Sequence, residues 1–216
     1  KIYSWILAAR PKTLIASIAP IICSIFILPI NHKLNIPVLI ITLISASCIQ
    51  IGANFINDLY DYIKGADNEN RLGPKRMIQS GIITKQQMYK GIFIILFIAF
   101  VCGFYLVFLS GENIKWPILI IGASSFLFAF LYTGGPKPLG YIGLGEIFVF
   151  IYFGLFAVIG SYYLQTGYLF TKEALFLGSA IGCINVILLA VNNLRDYKTD
   201  KVSRKNTLVV IYGEQF

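Results

Sequence analysis

Charge is scarce in this 216-residue chain: 13% of its residues are Asp, Glu, Lys or Arg, about half the share of an ordinary soluble domain. That shortage excludes most water-soluble folds. Histidine occurs once, as His32, so neither a zinc site of usual composition nor a Ser-His-Asp triad can be assembled. The four cysteines, Cys23, Cys48, Cys102 and Cys183, fall inside apolar stretches without a C-x-x-C pair, and they read as small buried hydrophobes rather than redox or metal groups. Polar and apolar residues do not alternate in runs such as Ile92-Phe93-Ile94-Ile95-Leu96-Phe97, which excludes the strands of a membrane β-barrel.

Hydrophobic residues are abundant, at 57%, and fall in blocks of about 20, enough to cross a bilayer as helices. Six blocks stand out: Thr13 to Ile30, Ile36 to Ile56, Gly91 to Leu109, Trp116 to Tyr132, Tyr141 to Gly160 and Ala174 to Val191. They predict an all-α, polytopic transmembrane helical bundle. The first block is expected to be a retained span rather than a cleaved signal peptide, because five more spans follow and Pro20 interrupts it. About 25 polar or mildly apolar residues follow the sixth block, and the natural protein is expected to continue beyond them.

The net charge is +8, from 18 Lys and Arg against 10 Asp and Glu. Fifteen of the 18 cations lie on one side of the predicted spans, leaving Lys33, Lys115 and Lys172 on the other. By the positive-inside rule the crowded side, with the N-terminus, is cytoplasmic in a multi-pass protein of the cell membrane. Nucleic-acid binding does not explain the surplus, since these cations flank spans and adjoin acids.

Five acids form two clusters, each after an even-numbered span. The first runs from Asn57 to Asp67 and the second from Asn192 to Asp200. At an offset of 135, Ile56-Asn57-Asp58-Leu59-Tyr60-Asp61-Tyr62 aligns with Val191-Asn192-Asn193-Leu194-Arg195-Asp196-Tyr197, and four of seven positions are identical. This reads as an internal repeat, with spans one and two corresponding to spans five and six. Asn57 and Asp61, Asn192 and Asp196, and Asp196 and Asp200 are each four apart, so each pair is expected on one helix face.

A single D-x-x-D is ordinarily a solvated loop charge, but two repeat-related clusters with adjoining Asn and Arg point further. Massed carboxylates suit a hard cation such as Mg²⁺, which keeps waters and bridges to substrate phosphates. Lys64, Arg71, Lys75, Arg76, Lys137, Arg195 and Lys201 suit the remaining phosphate oxygens. A Mg²⁺-bridged diphosphate at the mouth of an apolar bundle implies a ligand with a long apolar tail, such as a polyprenyl diphosphate.

The sequence resembles the UbiA-type membrane prenyltransferases, and within them the branch that prenylates 1,4-dihydroxy-2-naphthoate in menaquinone synthesis. The resemblance is carried by Ala9-Arg10-Pro11-Lys12-Thr13-Leu14, the Asn57 to Asp67 cluster and Gly73-Pro74-Lys75-Arg76-Met77-Ile78-Gln79-Ser80-Gly81. It continues in Tyr132-Thr133-Gly134-Gly135-Pro136-Lys137-Pro138-Leu139-Gly140-Tyr141, Gly143-Leu144-Gly145-Glu146, Asn192 to Asp200 and Lys205-Asn206-Thr207-Leu208. Where many relatives place an acid four residues beyond Asp61, this chain has Gly65, with the acid displaced to Asp67.

The resemblance implies one transmembrane domain over 1–216, with active-site loops at 57–90 and 192–216, and six spans here of about nine around a central cavity. It implies Mg²⁺-dependent prenyl transfer from a polyprenyl diphosphate to dihydroxynaphthoate, with diphosphate and CO₂ released and demethylmenaquinone formed. Asn57, Asp61, Asp67, Asp196 and Asp200 match the metal motifs, with Asn57, Asp61 and Asp196 central to catalysis and Asp58 standing behind them. Arg76, Lys137 and Arg195 are the expected diphosphate contacts, and Glu146 and Arg10 the expected acceptor contacts. Glu146 either orients an acceptor hydroxyl, pairs with Lys137, or reaches water at the interface. Tyr60, Tyr62, Tyr132, Tyr141 and Tyr197 are candidates to face a carbocation.

The alternatives are another aromatic acceptor for the same family, or a secondary transporter, whose acids belong near mid-bilayer. A CDP-alcohol phosphotransferase would show D-G-x-x-A-R followed by G-x-x-x-D-x-x-x-D, which this chain lacks.

Overall fold

The structure is a computed structural model that describes residues 2–67 and 73–213. Arg71, expected among the phosphate-facing cations, and Lys1 lie outside the described residues. Among the described residues there are helices and no strands. The order is α1 (Ile2–Ala9), α2 (Pro11–Ile25), α3 (Ile36–Ile63), α4 (Lys85–Leu109), α5 (Glu112–Leu131), a short 3₁₀ turn (Leu139–Tyr141), α6 (Gly145–Phe150), a π-helical segment (Ile151–Phe156), α7 (Ala157–Thr166), α8 (Lys172–Arg195), α9 (Tyr197–Val202) and α10 (Leu208–Tyr212).

Five helical stretches are long and apolar enough to cross a membrane, and α1 with α2 makes a sixth if the bent pair is counted as one span. The predicted all-α bundle is therefore present, with two differences at its ends. The helix of the first block, α2, starts at Pro11 and ends at Ile25 short of the expected Ile30, and α1 precedes it across a 52° bend at Arg10. Pro11 opens α2, and a proline disfavours the α conformation in the residue before it. Arg10 accordingly takes a left-handed backbone, φ 51° and ψ 69°, which is costly for a side chain with a Cβ.

The second difference is in α3, where the apolar pattern ends at Ile56 but the helix continues to Ile63. Asn35 caps its start by accepting from the Val38 N–H at 3.2 Å. With 28 residues, α3 is about 42 Å long, more than the ~30 Å hydrocarbon thickness. Its last two turns extend beyond the apolar pattern as regular helix.

Long-range contacts sort the ends of the helices. At one end Asn35 and Gln165 exchange two hydrogen bonds, at 2.9 and 3.1 Å. At the other end the extension of α3 meets the α1–α2 junction, the segment 73–83 and the turn 133–141. An apolar cluster of Ala8, Phe55, Leu59, Met77, Ile78, Ile83 and Met88 packs segment 73–83 onto α1, α3 and α4. The face of α4 carrying Phe93, Phe97, Phe100 and Phe104 is exposed, as expected of a surface toward lipid.

The second half is joined by a stripe of small residues. A Cβ on Gly154 would stand 2.5 Å from Gly182 Cα and 2.6 Å from Gly178 O, so the π-helical segment lies directly on the α8 backbone, as small-x-x-x-small pairs allow in membranes. Buried Asn185 of α8 donates to Phe153 O of the π segment at 3.0 Å, a polar tie between the two elements. Gly154→Ala is expected to lower the thermal midpoint of the detergent-solubilised protein, through roughly 1–3 kcal/mol of overpacking. Gly122→Ala, where nothing lies within 4 Å of the added methyl, is the control, and equal midpoints for the two variants would contradict this packing.

Candidate active site

The extension of α3 and its cap carry Asn57, Asp58, Asp61 and Lys64, which between them grip three other segments. Asn57 accepts from Arg10 Nη2 at 3.0 Å and donates through Nδ2 to Thr133 Oγ1 at 3.1 Å. Asp58 accepts from the Met77 and Ile78 N–H groups at 3.0 and 3.3 Å. Asp61 Oδ1 accepts from the Tyr141 hydroxyl at 2.6 Å, and its Oδ2 meets Arg76 Nη2 at 3.4 Å. Lys64 Nζ donates to Thr133 O and Gly135 O at 2.9 and 3.0 Å.

Gly65 explains the displaced acid. The Gly65 N–H donates to Tyr62 O and the Ala66 N–H to Asp61 O, at 3.1 and 2.8 Å, with Gly65 at φ +70°. This is a helix stop that favours glycine, so an acid at position 65 would sit in a strained conformation. The reversed chain instead returns Asp67 to Arg76, whose Nε lies 3.3 Å from Oδ1 and 3.2 Å from Oδ2. Arg76, itself 5% exposed, thus spans Asp61 at 0% and Asp67 at 7%.

The second cluster is built differently. α8 ends at Arg195, and Asp196 has φ −91° and ψ 5° before α9 begins. The Asp196 N–H still donates to Asn192 O at 3.1 Å, so the two keep their helical spacing across that break, with Asn192 exposed and Asp196 buried. Arg195 grips Asp196 through Nε and Nη2 at 2.9 and 2.8 Å, and donates to Asn192 Oδ1 at 3.0 Å. Buried Asp200 faces Lys205 Nζ at 3.6 Å.

Tyr141 ties the two clusters together. Its hydroxyl is on Asp61, its carbonyl accepts from the Asn206 N–H at 3.1 Å, and Lys64 Nζ and Lys205 Nζ lie 4.8 and 5.6 Å from its ring centre. Burial and the Asp61 carboxylate push its hydroxyl far above the usual tyrosine range, so it stays a proton donor. Burial, with Glu146, Asp61 and Asp200 nearby, likewise pushes Tyr132 up. Burial lowers Lys64, against an opposing pull from Asp61.

The structure therefore brings Asn57, Asp61, Asp67, Arg76 and Arg10 together, and separately Asp196, Asp200 and Arg195. Lys137 is exposed on its turn and makes no ion pair among the described residues. It does not pair with Glu146, nor does Glu146 reach water: that carboxylate is 7% exposed and accepts from Asn193 Nδ2 at 2.9 Å. Arg10, expected at the acceptor, donates to Asn57 Oδ1.

Of the five candidate tyrosines, Tyr60 packs on Phe130, and Tyr62, Tyr197 and Tyr141 each lie beside lysine ammonium groups; Tyr132 and Tyr141 also stand near the Asp61 and Asp200 carboxylates. The sequence reading assigned no role to Thr133, Asn193 or Lys205. The available signal was the run of Gly, Pro and Tyr between 132 and 145, which marks a turn but not its partners.

Among the described residues no three His, Cys, Asp or Glu side chains form a ready metal cage. The donor set is nonetheless of the right kind for Mg²⁺: carboxylate and amide oxygens, with no imidazole or thiol at this end. Mg²⁺ commonly uses one or two carboxylates, several waters and substrate phosphates, so a diphosphate would complete what these side chains begin.

Residues 17–216 match the model of the UbiA prenyltransferase family. The chain is 38% identical over 214 residues to the 1,4-dihydroxy-2-naphthoate octaprenyltransferase of Escherichia coli (strain K12), covering 98% of this chain and 69% of that protein. It is 35% identical over 210 residues to the enzyme of the same name from Mycobacterium leprae (strain TN), covering 97% of this chain and 69% of that protein. A UbiA homolog from Archaeoglobus fulgidus, solved bound to GPP and Mg²⁺, superimposes with a TM-score of 0.74 at 16% identity, over 98% of this chain and 70% of that one.

Tyr141→Phe deletes the shorter of the two side-chain bonds to Asp61. It is expected to destabilise the protein by about 1–3 kcal/mol, the usual cost of leaving a buried acceptor short of a partner. Thermal unfolding in detergent checks this, and an unchanged midpoint would show that the bond contributes nothing.

Proposed function

The chain belongs to the UbiA prenyltransferase family, and on that premise we propose that it transfers a polyprenyl group from polyprenyl diphosphate to 1,4-dihydroxy-2-naphthoate. The reaction is Mg²⁺-dependent and releases diphosphate and CO₂ to give demethylmenaquinone. The observation that carries this reading is the set of buried carboxylates, Asp61, Asp67, Asp196 and Asp200, at one end of an apolar helical bundle. The naphthoate acceptor is supported by the names of the relatives at 35–38% identity.

In this reading Asn57, Asp61 and Asp67 hold metal on one side of the site and Asp196 and Asp200 on the other. Mg²⁺, when bound, neutralises the diphosphate and favours its departure. Arg76 and Arg195 stand beside these carboxylates with guanidinium groups suited to bidentate contact with phosphate oxygens. The expected contact by Lys137 requires that exposed side chain to turn inward. Lys64, already bonded to two carbonyls, shapes the 133–141 turn instead.

The allylic C–O bond breaks and its electron pair leaves with the diphosphate. The remaining allylic cation needs a site without water, and Tyr132 and Tyr141, near Asp61 and Asp200, are the rings proposed to face it. The ring carbon bearing the acceptor's carboxylate attacks the cation, and loss of CO₂ returns the electron pair to the ring. Glu146, held by Asn193, orients an acceptor hydroxyl. The protein is an integral membrane enzyme, and the charge distribution supports placing its N-terminus and site at the cytoplasmic face of the cell membrane. No observation favours a transporter, since the acids cluster at helix ends rather than at mid-span.

Membranes containing the protein, given labelled polyprenyl diphosphate and a panel of aromatic acids, test donor, acceptor and decarboxylation together. Asp61→Asn and Asp196→Asn are each expected to lower turnover by on the order of 100-fold or more without loss of membrane insertion, and near-normal turnover would sink the metal reading. Glu146→Gln is expected to raise the KM for the aromatic acceptor more than that for the prenyl donor, and an equal change in both would remove it from the acceptor site.

A further inference from the structure

Asp58 is 1% exposed, yet none of its recorded hydrogen bonds goes to the other acids, the cations or the tyrosines of the site. It sits one residue after Asn57, about 100° further round α3. Its two oxygens are used on backbone: Oδ2 on the Met77 N–H at 3.0 Å and Oδ1 on the Ile78 N–H at 3.3 Å. Those amides belong to residues 1% and 5% exposed, inside the apolar cluster with Phe55, Leu59 and Met88. Two buried N–H donors in apolar surroundings need acceptors, and a carboxylate supplies one oxygen to each.

The residue immediately before these two amides is Arg76, whose guanidinium spans Asp61 and Asp67. We propose that Asp58 is a positioning residue rather than a metal ligand: its paired backbone bonds set the height of segment 76–78 along α3, and thereby deliver Arg76 to the diphosphate side of the site. Without that anchor the apolar contacts of Met77 and Ile78 still hold the segment to the bundle, but they are non-directional and do not fix where Arg76 points. The role assigned to Asp58 rests on reading Arg76 as a diphosphate contact.

The test is a double-mutant cycle with a separate structural readout, made on the full chain in detergent. Asp58→Asn puts an amide donor against one of the two N–H groups, and is expected to raise the KM for prenyl diphosphate about 10-fold, with the acceptor KM unchanged. Arg76→Gln is expected to raise the donor KM at least as much, and the double variant to match Arg76→Gln alone. Multiplying effects would mean that Asp58 acts independently of Arg76 and would overturn the proposal. Hydrogen exchange reads the anchor itself: peptides covering Met77 and Ile78 should be protected in the wild-type protein and exchange at least 10-fold faster in Asp58→Asn. Rapid exchange in the wild-type protein, or unchanged exchange in the variant, overturns the anchor, and the wild-type measurement stands even if the variant does not fold. A normal donor KM in Arg76→Gln, with the exchange result as expected, instead removes Arg76 from diphosphate binding and leaves the anchor intact.

Discussion

A buried carboxylate must be matched by a cation or by donors, and the polar end of this bundle is organised around that requirement at Asp61. The side chain is fully enclosed, and its two oxygens are met by groups from segments far apart in sequence, Arg76 and Tyr141. Neither partner belongs to a long helix, so each must be held in place by further contacts. Asp58 holds the backbone beside Arg76, and Asn57 and Lys64 hold the turn that leads to Tyr141. Four residues within two turns of one helix thus fix three segments that have little regular structure of their own.

This arrangement depends on α3 continuing past its own apolar pattern. A helix ending with its apolar pattern at Ile56 would leave Asn57 to Lys64 in a loop, and their side chains would lose the common frame that directs them to different partners. The continuation to Ile63 and the stop at Gly65 are what turn a string of polar residues into a site. The bent α1–α2 pair contributes in a related way, since the strained backbone of Arg10 is where its guanidinium meets Asn57. On the other half of the bundle, close contact between Gly154 and the Gly178–Gly182 stripe sets the position of α8, and with it Asn193 beneath Glu146 and the start of the second cluster.

The two clusters look alike in sequence but are built differently. Asn57 and Asp61 both lie within α3, whereas Asp196 stands just past the break that ends α8, held with Asn192 by Arg195, and Asn193 and Asp58 are the buried members of the next pair. The repeat was legible because it lies in residue identity. The break was not, because it depends on where α9 and the Asn206–Tyr141 contact draw the chain.

The sequence by itself determined that this is an all-helical membrane protein, where its spans lie to within a few residues, and which acids gather at one end. Hydrophobic length and charge are local properties, so they survive in a linear reading. Only the tertiary structure decided which cation faces which carboxylate: Arg76 between Asp61 and Asp67, Arg10 on Asn57, Asn193 rather than Lys137 on Glu146, and Tyr141 at the centre. Those pairings are set by the demand that every buried charge and amide find a partner across contacts as distant as 80 residues, and that demand acts on space rather than on spacing.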